Sequence, residues 1–251
     1  MSHNKFVYTS FIILAFLARQ GFSQNESDDG SDSQPSTVAE KLSQHHIALD
    51  VDSLTQALQN SDARIRGLAA VQLGGVKAIA AVPAIENALT KEEIASVRVD
   101  MALALSWLGD KKGLEVLKGT CTNFRTPSAL RTLAASYLLN ANDSSCLDAV
   151  LGISESDPEP LSRAYALSLL PKFKNVPEDQ SRRIYTSALK SLMDSDPALR
   201  LGASQTFLSL ENAAAIPDLR RAIASEQNED VRRAMERDLG RLQEQLQKKK
   251  P

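Results

Sequence analysis

Few side chains in this chain of 251 residues could act as nucleophiles or metal ligands. The sequence holds two cysteines, Cys121 and Cys146, and three histidines, His3, His45 and His46. A cysteine nucleophile needs a base beside it, and no histidine is close to either cysteine in sequence. Adjacent histidines cannot both face inward from one helix. We therefore predict no metal site, no cofactor and no catalytic residue.

A second group of candidate functional residues is a column of six arginines that recurs through the chain. Successive members are 32, 33, 32, 37 and 32 residues apart. Apolar residues lie three and seven positions after every member, and one directly precedes all but the fourth. Side chains at these spacings share one face of an α-helix, so a short helix is predicted around each arginine. The members are Arg66, Arg98, Arg131, Arg163, Arg200 and Arg232.

Most of these helices are followed by a second apolar pattern that predicts a partner helix. Pro83 and Pro217 stand where two partner helices begin, a position that tolerates proline. The fourth unit fits if its extra residues lie in Lys172–Gln180 and its second helix runs through Arg183–Met193. A single pair of helices cannot bury its apolar faces alone, whereas stacked pairs share a continuous core. The sequence predicts an all-α protein, an α-solenoid or superhelix of about six stacked antiparallel helix pairs.

Both ends of the repeat array depart from the regular pattern. Residues 37–60 hold one recognisable helix, Val51–Gln59, and are predicted to be an N-terminal capping half-repeat. Residues 61–251 carry the repeats, and the polar stretch Asn228–Lys250 is predicted to be a C-terminal capping helix. A terminal repeat must present a polar face to water, and this stretch has one.

Residues 1–23 have the organisation of a signal peptide. Lys5 precedes the apolar run Phe6–Leu17, and small residues precede a cut before Gln24. A helix of this apolar run would be about 18 Å long, which is short of a hydrocarbon core of about 30 Å. We expect export to a periplasmic or secreted location and no permanent membrane span. Residues 24–36 are polar and acidic and are predicted to be a disordered spacer.

The charge of the remaining chain is balanced. Residues 1–36 hold two of the 29 basic side chains and four of the 31 acidic ones, which leaves 27 of each. Nucleic-acid phosphates demand clustered basic charge, so binding to nucleic acid is not expected.

The repeat resembles the HEAT-like repeats of the short kind found in phycobilisome-lyase relatives. The resemblance covers residues 51–247 and rests on a first helix of the form xVRxxAxxxL, a turn with Gly or Asp, and a second helix that sometimes opens with Pro. It implies a scaffold for protein contacts. The wider class includes chromophore lyases, a di-iron hydroxylase of deoxyhypusine and DNA glycosylases. The hydroxylases hold iron through His-Glu dipeptides, and no histidine here precedes Glu.

The resemblance also bears on the arginines and the cysteines. In such repeats the arginine pairs with a neighbouring carboxylate or carbonyl, so we expect a structural ladder, with contact to a ligand as the alternative. Asp62 and Asp196, four residues before Arg66 and Arg200, are the expected partners.

Cys121 occupies an apolar column and should be buried in the core. Second helices that stack in parallel would place it about 12 Å from Cys146 by helix rise, which is beyond the limit of about 7 Å between Cα atoms for a disulfide. This geometry favours free thiols. Two cysteines in an exported protein nevertheless keep a disulfide open as the alternative.

The concave surface of such a solenoid is lined by its second helices, and the last two complete units carry basic side chains there. This predicted basic face could bind an acidic protein tail or an anionic polymer. The alternative is a solvated surface that Glu178 and Asp179 partly neutralise. The residues of the predicted face are Arg182, Arg183, Lys190, Arg220 and Arg221.

The function that fits these observations best is a non-catalytic exported scaffold that binds a protein partner on its concave face, with the chain itself a monomer. A lyase-like enzyme and a self-assembling element of the cell envelope are the alternatives.

Overall fold

The computed structural model describes residues 37–249, and the predicted signal peptide and acidic spacer lie outside them. Within this range the chain forms thirteen α-helices and three short 3₁₀ helices, with no strand. The chain divides into two compact units, with the boundary between Asp110 and Lys111. No helix of the described part has the length and hydropathy needed to cross a bilayer.

The first unit holds five α-helices. Side chains start three of them: Thr37 and Glu40 form a capping box, and Asp50 and Asp62 each accept a backbone N–H one turn into the helix. The long third and fifth helices pack along each other, and the others pack against them. The helices are α1 (Val38–Gln44), α2 (Val51–Ala57), α3 (Ala63–Gly75), α4 (Val82–Lys91) and α5 (Ala95–Trp107).

Small residues bring α3 and α5 into close contact. A Cβ atom at Gly74 would lie 2.8 Å from the Cα atom of Ala104, so only glycine fits at this point of the contact. Leu73 and Leu105, seven positions after their arginines, are fully buried. The apolar column of the sequence therefore forms the core of the first unit.

The second unit continues the same arrangement over eight α-helices. Four first helices, α7, α9, α11 and α13, stack in chain order, while α8, α10 and α12 pack against the first helix that follows each of them. The bounds are α6 (Lys111–Thr122), α7 (Ser128–Asn140), α8 (Leu147–Ser156), α9 (Pro160–Leu169), α10 (Glu178–Ser191), α11 (Pro197–Ser209), α12 (Ile216–Ser225) and α13 (Glu229–Lys248).

These bounds confirm the predicted fold class, since each unit is a segment of an α-solenoid built from stacked helix pairs. Helix α10 begins five residues before the predicted start at Arg183. Pro177 directly precedes it, and Glu178 and Asp179 occupy its first turn, where negative charge interacts favourably with the helix dipole.

The prediction of free thiols is wrong. A disulfide joins Cys121 to Cys146, and their Cα atoms are 6.2 Å apart. Both residues are buried, as the apolar column predicted for Cys121. The error arose from assuming that α6 and α8 lie side by side in register. Instead α6 packs along α7, and its last turn reaches the start of α8.

A candidate interaction surface

The arginine column satisfies the backbone of the loops that precede the first helices. Five of the six guanidinium groups donate to carbonyl oxygens there. Arg66 reaches Asn60 at 2.8 Å, Arg98 reaches Glu92 at 3.0 Å, Arg131 reaches Cys121 at 2.9 Å, Arg163 reaches Asp157 at 2.8 Å and Arg200 reaches Asp194 at 2.9 Å. Carbonyls at and beyond a helix C-terminus have no partner within the helix, so these bonds stabilise the loops.

The sixth arginine of the column differs from the others. Arg232 is exposed, and its side chain forms no hydrogen bond or ion pair with another residue of the described range 37–249.

Two of these arginines also bind a buried carboxylate two-fold. Arg66 donates Nε–H and Nη2–H to Glu92 at 2.6 and 2.9 Å, and Arg200 donates to Glu226 at 2.5 and 2.7 Å. The hydrogen bond from each arginine lowers the pKa of its glutamate below the ordinary value. In the same unit as Arg200, Arg163 reaches Asp194 at 3.3 Å.

The expected partners Asp62 and Asp196 have another role. Each caps the N-terminus of its own helix, accepting from the backbone N–H of Arg64 and Ala198 respectively, both at 2.8 Å. An aspartate that occupies the N-cap position is aligned with the first turn of the helix, whereas the guanidinium extends toward the loops.

The true partners share a position in the repeat that a second column would have revealed. Residues six positions before a column arginine are acidic in four loops: Glu92, Asp157, Asp194 and Glu226. The carboxylate at this position accepts the backbone N–H two residues later in every one of these loops. Its position therefore joins a loop bend to the arginine ladder.

The predicted basic face lies on α10 and α12 of the second unit, and part of it is neutralised by neighbouring helices. Arg183 donates to both carboxylate oxygens of Glu155 on α8 at 2.9 and 2.7 Å and lies 3.7 Å from Asp148. The hydrogen bond from Glu155 raises the pKa of Arg183. Gln180 donates to Asp148 at 2.7 Å, so two side chains of α10 are bound to α8.

A corresponding link joins α10 to α12. The hydroxyl of Tyr185 lies 3.5 Å from the carboxylate of Asp218, and Arg221 forms an ion pair with the same carboxylate. The ring of Tyr185 also packs edge-on against Phe207, with 5.4 Å between ring centroids. Arg221 is therefore neutralised within its own helix.

The remaining three cations of the predicted face are available to solvent. Arg182, Lys190 and Arg220 are exposed, and within residues 37–249 their side chains have no hydrogen-bond or ion-pair partner. Arg182 and Lys190 are two helical turns apart and so share one side of α10. The face predicted from sequence thus divides into two residues that hold helices together and three that do not.

The histidines of the described range are both exposed in the turn after α1. His3 lies outside the described residues. Within residues 37–249, no three histidine, cysteine or acidic side chains are close enough together to hold a metal ion.

The family comparison addresses the repeat itself. Residues 51–139 match the model of the HEAT repeats family. The chain is a HEAT-like repeat protein. The matched range of HEAT repeats includes the column arginines Arg66, Arg98 and Arg131.

Solved structures that resemble the chain are all distant in sequence. An engineered protein is 19% identical, with 78% of this chain and 97% of that chain covered and a TM-score of 0.45. The complex of CpcE and CpcF of phycocyanin lyase from Nostoc sp. PCC7120 is 20% identical, with 87% and 92% covered and a TM-score of 0.39. Human deoxyhypusine hydroxylase is 16% identical, with 77% and 84% covered and a TM-score of 0.29. No curated protein sequence matches the chain significantly.

Proposed function

We propose that this protein is an exported, monomeric and non-catalytic scaffold that binds an acidic segment of a partner protein on the second-helix surface of its second unit. The observation that carries the proposal is the set of three exposed cations, Arg182, Lys190 and Arg220, that form no internal bond in the described structure. Their neighbours Arg183 and Arg221 are bound to carboxylates.

The rigid attachment of α10 supports a binding role for this surface. Gln180 and Arg183 bind α8, and Tyr185 contacts both Asp218 and Phe207. A helix that is fixed on two sides presents its exposed cations at constant positions. Charges fixed in advance attract a complementary partner with a smaller loss of side-chain entropy on binding.

The disulfide supports the proposed export. Disulfides form and persist in oxidising compartments such as the periplasm or the extracellular space, and they are rare in the cytosol. Cys121 and Cys146 are buried and already bonded. Export of the chain would place this bond in a compartment that preserves it.

The test measures the binding of an octaglutamate peptide to the full-length chain by fluorescence anisotropy. We expect binding that weakens as the salt concentration rises, because exposed charges are screened. The triple variant R182E/K190E/R220E should lose this binding. The matched control is R64E/K111E/K174E, which reverses three other exposed cations and should bind as the wild type does.

The same pair of variants then serves as bait for capture from the native exported fraction. The proposal holds if one protein is retained by the wild type and the control triple variant but not by R182E/K190E/R220E. Equal loss of octaglutamate binding in both triple variants would show that only net charge matters and would reject this surface. A size that rises with protein concentration would reject the monomeric scaffold in favour of a self-assembling element.

A further inference from the structure

The first unit contains an open groove between α2 and α4, separate from the surface proposed above. The groove has a volume of about 470 Å³, within the range of about 300–1,000 Å³ that ligand sites occupy. Side chains from the end of α2, from α4 and from the loop after α4 line it. The column residue Arg66 and its partner Glu92 also line it.

The polar side chains of the groove are predominantly neutral and have free hydrogen-bonding capacity. Thr55, Gln59 and Asn87 line the groove, and none of their side chains bonds to another residue between 37 and 249. A carboxamide offers two donors and one acceptor oxygen, and a hydroxyl offers both functions. These are the functions that complement the alternating N–H and C=O groups of an extended peptide main chain.

The charge of the groove argues against a strongly charged ligand. Two cations, Arg66 and Lys91, face two anions, Glu92 and Glu93, so the formal charge of the lining is zero. The bidentate contact at 2.6 and 2.9 Å neutralises Arg66 and Glu92 within the groove. An anionic polymer would find no net positive charge here.

The shape of the groove suits a main chain more than a bulky group. Ala84 and Ala88 present methyl groups from α4, which allows close approach to the helix surface. Leu58 supplies a buried apolar surface, and Ile94, which is 45% exposed, supplies an apolar contact at one end.

A contrast between the two units indicates that the groove is a specific feature of the first. In the second unit, successive second helices are joined by side chains. Gln180 and Arg183 on α10 bind α8, and the hydroxyls of Ser154 and Ser187 are 3.2 Å apart. The groove-lining polar side chains of α2 and α4 form no such bonds with described residues, and these two helices stand apart.

We propose that the groove between α2 and α4 binds an extended, uncharged segment of a partner protein, with Gln59 and Asn87 bonding to the main chain of that segment. The inference goes beyond the proposed function, because the site lies in the other unit and recognises a different chemistry. It requires small side chains on the segment where it passes Ala84 and Ala88, and an apolar side chain beside Ile94.

The probe is a phage-displayed library of random dodecapeptides, selected against the full-length chain. A synthetic copy of an enriched peptide is then measured by isothermal titration calorimetry. Loss of the two carboxamides in Q59A/N87A should weaken binding by at least about tenfold, because it removes hydrogen bonds to two bound groups. The matched control is Q56A, which removes an exposed carboxamide from the same helix outside the groove.

Two further measurements separate main-chain recognition from other modes. N-methylation of successive peptide amides should weaken binding at alternate positions, whereas alanine at the same positions should not. The variant A88L fills the groove and should abolish binding, with circular dichroism melting used to show that it folds.

The proposal is overturned if no peptide is enriched, or if enriched peptides bind Q59A/N87A and A88L as tightly as they bind wild type. Insensitivity to N-methylation would overturn main-chain recognition. Enriched acidic peptides that lose binding in R182E/K190E/R220E would locate the site in the second unit. That outcome would reject the groove while supporting the proposed function, so the two failures are distinguishable.

Discussion

Glu92 binds two members of the arginine column through different atoms. Its carboxylate accepts both N–H groups of Arg66, at 2.6 and 2.9 Å, and its backbone carbonyl accepts from Arg98 at 3.0 Å. Since Arg66 also donates to Asn60 in the preceding loop, two successive loops are joined through one buried carboxylate. The ladder is therefore continuous across loops of the first unit.

Replacing this carboxylate should lower stability in a pH-dependent way. E92Q keeps the shape but removes the charge, so we expect a loss of about 2–3 kcal/mol at neutral pH, typical of a charge-assisted hydrogen bond. The folded pKa of Glu92 lies below its ordinary value. Its contribution is therefore complete above the unfolded pKa of about 4.3 and is lost as the pH falls through the folded value.

The measurement is urea denaturation of wild type and E92Q between pH 7 and pH 3. The difference in unfolding free energy should shrink toward the acid end. The exposed neighbour provides the control, since E93Q should change stability little at any pH. A constant difference for E92Q across this range would show that the carboxylate charge does not hold the loops.

Removing the disulfide should destabilise the second unit. The bond closes a loop across a sequence separation of 25 residues, for which the chain-entropy model gives about 3.5 kcal/mol at 25 °C. C121S/C146S should lose about this much in denaturant unfolding. Non-reducing peptide mapping of the wild type should recover Cys121 and Cys146 in one linked fragment.

The reducing agent supplies the control. Dithiothreitol should lower the unfolding midpoint of the wild type and leave that of C121S/C146S unchanged. Identical midpoints for oxidised and reduced wild type would mean that the bond contributes no stability.

The sequence predicts the helix pairs well because their apolar columns are periodic and local. Leu73, Leu105 and Phe207 occupy one column and are all fully buried. The position of α6 depends on non-local packing against α7, which the columns do not encode, so the separation of Cys121 and Cys146 was predicted wrongly.

The candidate site shows the same division. Exposure of the basic residues follows from their position on the helix, whereas the pairing of Arg183 with Glu155 joins residues 28 positions apart. The partners of Arg66 and Arg200 could have been found, because acidic residues recur six positions before later column arginines.

Adjacent arginines on α10 should behave differently when truncated. R183A removes the bidentate contact with Glu155 between α10 and α8, and we expect a loss of about 0.5–1 kcal/mol, as for a partly exposed ion pair of good geometry. R182A should leave stability unchanged, since its side chain has no partner in the described range. Octaglutamate binding should respond in the opposite order, with R182A the weaker binder.

Thermal unfolding and anisotropy on the same preparations check this prediction. Charge loss is equal in the two variants, so each is the control for the other. Equal effects on binding would reject the division of the basic face into bound and available residues.

Two adjacent glycines at the end of α3 should respond oppositely to alanine. A Cβ at Gly74 would lie 2.8 Å from the Cα of Ala104, and backbone cannot move aside cheaply, so G74A should cost about 1–3 kcal/mol through overpacking between α3 and α5. At Gly75 a Cβ meets no atom within 4 Å. G75A should be neutral or stabilise by up to about 1 kcal/mol, because alanine has the higher helix propensity and reduces the entropy of the unfolded chain. Urea denaturation of both variants decides the matter, and a G74A protein as stable as G75A would show that α3 and α5 do not approach this closely in solution.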